Sequence, residues 1–169
     1  MTITFDGTVG ITTPAILNAG ANGVGNIGST GTRFNTIFAK ATSAEYADLS
    51  ECYAGDASYA SGTVVKFGGL QEITMALQDH DPAVAGIVTT NPAFSMNAGL
   101  VANHVVNVAL CGRVPCQVQG PVKAGDLLVS AGNGRARSET APASGTIIGK
   151  AVQSFAGDIG VVEVAVGIR

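Results

Sequence analysis

Ala60-Ser61-Gly62-Thr63-Val64-Val65 is matched further along by Lys123-Ala124-Gly125-Asp126-Leu127-Leu128. Both hexapeptides set a glycine ahead of an apolar pair, the pattern of a tight turn entering a strand. Twenty-four residues after each glycine a second one stands in similar company, Ala85-Gly86-Ile87-Val88 and Ile148-Gly149-Lys150-Ala151. Each half then ends alike, with Val105-Val-Asn-Val-Ala-Leu110 and Arg113 in one, Val161-Val-Glu-Val-Ala-Val166 and Arg169 in the other. Three matches in the same order mark an internal repeat. The expectation is two similar β units, 62–113 and 125–169, facing each other about a pseudo-twofold axis, neither able to bury its apolar faces alone. The first unit carries about seven extra residues around 91–103, read as an insertion on one face.

Working outward, short β-like runs recur between turns from Ser61 on: 63–67, 72–75, 84–89, 105–110, 114–119, 127–129, 147–152 and 161–166. Gly68-Gly69, Asn91-Pro92, Gly120-Pro121 and Gly132-Asn133-Gly134 punctuate them as turn signals. Eight short strands in so short a stretch predict a mainly β fold, a small barrel or sandwich, over residues 56–169. Ahead of it, 42–54 reads as one short helix and linker. Thr42-Ser-Ala-Glu45 fits a capping box, Tyr46, Leu49 and Tyr53 fall on one helical face, and Gly55 stops the run. Residues 1–41 hold only three charged side chains, Asp6, Arg33 and Lys40, among Gly, Thr, Asn and Ala. Such a segment cannot build a core by itself. It is expected to be an extended, Gly-rich arm that orders by winding with copies of itself.

Composition narrows the function. Hydrophobic residues make up 46% of the 169, charged residues only 12%, and there is no Trp. A surface so poor in charge is expected to be covered by neighbouring subunits. The net charge of −3 offers no broad attraction to nucleic acid or anionic membrane. No apolar run approaches the length of a membrane span, and the opening Met1-Thr-Ile-Thr-Phe-Asp6 has neither the basic nor the apolar region of a signal peptide. Three Cys, an odd number, read as free thiols made in a reducing compartment.

No arrangement compels catalysis. Asp79-His80-Asp81-Pro82 reads as a polar turn, since adjacent side chains seldom converge on one ion. Cys111 and Cys116 lack zinc-site spacing, while a redox couple or an intersubunit disulfide stays open. Ser95 with Lys66 or His104 has no spacing that marks a nucleophile and its base. Gly23-Val-Gly-Asn-Ile-Gly28 is not set between a strand and a helix, so it carries no nucleotide signal. The chain is expected to be no enzyme, with no cofactor and no metal.

One stretch is distinctive: Gly25-Asn-Ile-Gly-Ser-Thr-Gly-Thr-Arg33-Phe-Asn-Thr-Ile-Phe-Ala39, followed by Ala44-Glu-Tyr-Ala-Asp48-Leu. It resembles a segment of tail-fibre and other virion structural proteins of tailed bacteriophages, including cyanophages and T-even-like myophages. The stretches Ala85–Ala93, Gly112–Cys116 and Gly120–Leu128 are similar to the C-terminal β domain of that group, and the β half also resembles small head-decoration proteins. The resemblance covers roughly residues 24–169. It implies a virion protein made in the host cytoplasm and a homo-oligomer, most simply a trimer. Its partners would be other virion structural proteins and a host-surface receptor. The module begins close to Met1 here, which points to a short adaptor, tip or decoration. Some related modules are self-cleaving fibre chaperones, but no nucleophile and base match theirs residue by residue, so that activity is not carried over. Phe34, Phe38, Phe94 and Met96, large apolar side chains among small ones, are the expected interaction residues.

Overall fold

The structure is a computed structural model that describes residues 43–167 throughout, together with 15, 17, 19–21, 24–29 and 31–38. It divides into two units, Met1–Thr42 and Ser43–Arg169. In the first unit the described residues form bends and irregular chain, with neither helix nor strand. Much of the arm expected over 1–41 lies outside the described residues.

The second unit contains ten strands. They are β1 (Asp48–Ala54), β2 (Val64–Phe67), β3 (Ile73–Met75), β4 (Val84–Val88), β5 (Phe94–Met96), β6 (Val105–Gln119), β7 (Leu127–Gly132), β8 (Arg135–Ser138), β9 (Ile147–Ala151) and β10 (Ile159–Val166). The fold is mainly β, and five strands close into a barrel. The second half of β6 pairs with β10, β10 with β9, β9 with β7 and β7 with β8, all antiparallel. A parallel bridge from Val118 to Ala136 brings β8 back to β6. Closure leaves no long free edge to pair with a stray strand.

The first half follows the same path. β1 pairs with the first half of β6, that half with β4, β4 with β2 and β2 with β3. A parallel bridge from Gly55 to Ile73 returns β3 to the end of β1. The pairings repeat at a shift of 63 residues. Val65 faces Gly86 and Met75, while Leu128 faces Gly149 and Ser138. Each ladder slips just after that residue, between Val65 and Lys66 and between Leu128 and Val129. The Gly62 N–H donates to the Val88 carbonyl at 2.9 Å, and the Gly125 N–H to that of Ala151 at 2.8 Å.

The paired glycines have physical reasons. Gly62 and Gly125 sit at φ 82° and 92°, where a side chain is strained. Gly86 and Gly149 lie against the neighbouring strand, and a Cβ there would run into the carbonyl of Ala109 or Ala165.

β6 is one strand serving both halves, where the sequence suggests two. Gly112, at φ 106°, carries the chain through the join. Pro115 is tolerated in so long a strand because of where its missing N–H falls. That position lies on the edge between the Arg113 N–H, bonded to Ala47 O at 3.1 Å, and the Gln117 N–H, bonded to Gly62 O at 2.9 Å.

Packing then joins the halves. Val65, Ile73, Val88, Val106 and Val108 form the first interior, with Tyr53 and Tyr59 against it. Leu128, Ala136, Ala151, Val162 and Val164 belong to the second, and Val64, Ala76, Ile87 and Ala109 join that same cluster. Val64 and Val65 are adjacent and both fully buried. Successive residues of a strand point to opposite faces, so β2 is covered on both sides, once by its own barrel and once by the other.

The helix expected over 42–54 is not formed. Thr42 of the capping box lies outside the described residues, residues 43–47 are irregular, and 48–54 are β1. Asp48, Ser50 and Cys52 are buried, and Leu49, Glu51 and Tyr53 less so, a period of two. A helix this short is marginal alone. As a strand the segment gains ladder partners along seven residues of β6 and β1's outer edge takes three of β5.

Candidate interaction surface

The insertion between β4 and the strand core of β6, residues 89–104, contains no Asp, Glu, Lys or Arg. It lays β5 parallel on β1, with Phe94 beside Leu49 and Met96 beside Glu51. Polar contacts hold it there. The Ser95 hydroxyl donates to Asn107 Oδ1 at 3.0 Å, the Cys52 thiol donates to the same oxygen at 3.0 Å, and Asn97 Nδ2 donates to the Cys52 carbonyl at 2.9 Å. Asn97 turns the chain at φ 53°, a conformation Asn tolerates. Ser95 points inward, so Phe94 and Met96 take the other face. Phe94 is 63% exposed and Met96 half-buried. Phe34 and Phe38 belong to the other unit, where they are 65% and 96% exposed.

The residues weighed for catalysis have separate partners. Ser95 is bound to Asn107, Lys66 Nζ stands 3.0 Å from the buried Asp81 carboxylate, and His104 Nδ1 is 3.0 Å from Ser58 Oγ. Cys52, Cys111 and Cys116 are free. Cys111 is exposed and Cys116 buried on the same strand, and burial pushes the Cys116 thiol up to about 12.

Asp79 and His80 do more than turn the chain. Arg137 Nε donates to Asp79 Oδ1 at 2.8 Å and Nη1 to Glu139 Oε2 at 3.0 Å. The His80 ring bridges Asp79 at 2.9 Å and Glu139 at 3.0 Å, with His80 held at φ 52°. The Ala141 N–H, then Arg137 and His80, bring the Glu139 carboxyl down to about 2. The Arg137 guanidinium is the main cause holding Asp79 below its usual range. This network staples the loop after β3 to β8. Spacing along the chain gave no hint of it, because Arg137 and Glu139 lie more than fifty positions from Asp79.

Compared with models of known protein families and with curated proteins, the chain matches none. The site's residues make an insertion without Asp, Glu, Lys or Arg, paired and hydrogen-bonded to β1, that carries an exposed aromatic ring.

Proposed function

We propose that the protein is a non-enzymatic structural component of a bacteriophage particle, a short tail-fibre or baseplate-associated protein that works as a symmetric oligomer, with a trimer favoured. The observation that carries this is the exposure of large apolar side chains. Phe94 on the insertion and Phe34 and Phe38 in the N-terminal unit are between 63% and 96% exposed. A solvated segment gains nothing from such rings, whereas an interface gains their burial. Phe34 and Phe38 also fall within the Arg33-Phe-Asn-Thr-Ile-Phe-Ala39 phrase that resembles phage fibre proteins. In this reading the chain is located in the virion, its partners are further copies and other virion structural proteins, and a tip position would meet a host-surface receptor.

Light scattering and native mass spectrometry of the purified chain test the oligomer, and a stable monomer at micromolar concentration counts against it. Gold-labelled antibody on intact particles tests the place. Label on the head would favour the alternative, a capsid decoration protein, which the Gly-spaced short strands also suit. A mature chain lighter than 16.9 kDa would favour a self-cleaving chaperone.

A further inference from the structure

The repeat supplies an internal reference: what the second half lacks, the barrel does not require. At the tip joining β7 to β8 stand Asn133 and Gly134, both at positive φ, as a two-residue turn favours. The same positions in the first half, 63 residues earlier, are Leu70 and Gln71. Leu70 is 89% exposed, an apolar side chain where the fold is content with Asn. Across from it stands Val101 of the insertion, 94% exposed, with no counterpart in the second half. Between them opens a cleft of about 460 Å³, with Asp56, Gln71, Asn103 and His104 among its lining.

The chemistry of the cleft is specific in sign. Its apolar lips are Leu70 and Val101, its charged group is the Asp56 carboxylate, and its lining contains no Lys or Arg. Asp56 is fixed in place by hydrogen bonds from Tyr59 and Thr74, which hold it below the usual carboxylate range. An aliphatic stem ending in a cation matches this arrangement: the methylenes lie along the lips and the charge meets the Asp56 carboxylate.

We infer that the cleft receives a lysine or arginine side chain from a protein neighbour. This rests on the reading that the protein docks against other proteins, but its test needs no particle. Amide spectra of the full chain are recorded during titration with Nα-acetyl-lysine methylamide, and with the norleucine analogue that lacks the ammonium group. The lysine probe is expected to move Gly55, Asp56, Gln71, Asn103 and His104 together, saturating in the tens-of-millimolar range. Norleucine should bind about threefold more weakly, the size of an exposed ion pair. Asp56→Asn, which keeps an oxygen to accept from Tyr59, should erase that difference. Leu70→Ser, at an exposed tip, should weaken both probes without unfolding the chain. Equal response to the two probes, a difference that survives Asp56→Asn, or no clustered shifts at all would overturn the inference. Normal particle incorporation of Asp56→Asn, with the difference between the probes erased, would instead count against the assembly reading alone.

Discussion

Phe94→Ala separates an interface residue from a core residue by magnitude. In the single chain Phe94 is 63% exposed, so only about a third of an aromatic surface of roughly 200 Å² is already shielded. At about 25 cal/mol per Å² that shielded part is worth roughly 1.8 kcal/mol, an upper value because the unfolded chain also hides some surface. In a chain of this size about 1 kcal/mol moves Tm by about 2–4 °C, so the dissociated protein should lose at most about 7 °C. The exposed two-thirds, about 130 Å², is worth roughly 3 kcal/mol to a copy that covers it, on the order of 100-fold in association. Thermal melting at concentrations where the wild type is dissociated measures the first quantity, and sedimentation equilibrium the second. A fully buried Phe would cost about 3–5 kcal/mol in the monomer. A Tm drop beyond about 10 °C with unchanged association would mean the ring caps its own barrel, and the interface reading would fail.

Gly86→Ala and Gly149→Ala should each destabilise by about 1–3 kcal/mol in urea unfolding, because the new methyl meets a carbonyl that the ladder holds in place. A neutral result at either would show that the close approach is not required. Glu139 titrates at about 2 folded against 4.5 ordinarily, so the unfolded chain takes up the proton first. Its contribution is whole above 4.5 and fades as pH falls toward 2. The urea midpoint should therefore drop over that window, and drop less in Arg137→Met; identical pH profiles would refute the network's role. Ile87→Ala, fully buried between the two halves, should cost about 2–5 kcal/mol and keep one unfolding transition by calorimetry. Two separated transitions would mean the halves fold independently. Deleting residues 1–40 should leave the melting of the β unit nearly unchanged, since both of its buried clusters are drawn from Val64 onward, while abolishing incorporation into particles. A truncated chain that still assembles would make the segment dispensable.

What could be read from residues alone was local. Gly62, Gly86, Gly125 and Gly149 announce turns and close approaches because backbone angle and the lack of a Cβ belong to the residue itself. Their spacing carries the 63-residue shift at which the ladders repeat. The apolar runs read at 63–67, 84–89, 147–152 and 161–166 locate strands because burial of one or both faces demands them. What needed the tertiary structure was every choice decided by a distant partner. Residues 42–54 have a capping box and a helical face in sequence, yet over Asp48–Ala54 β6 and β5 supply ladders that a lone helix cannot match. The strands β5, three residues long, and β8, with Ala136 its one apolar residue, cannot be seen without their neighbours. Only the pairing of β6 with both β1 and β10 makes it one strand through Gly112 and Pro115. Asp79, His80, Arg137 and Glu139 become one network solely because the chain's path brings β8 to the loop after β3. In the same way, Leu70 and Val101 become two lips of one cleft when the hairpin tip and the insertion reach the same end of the first barrel. Turns are written residue by residue, but which surfaces meet is set by the joint burial of both halves around a shared strand.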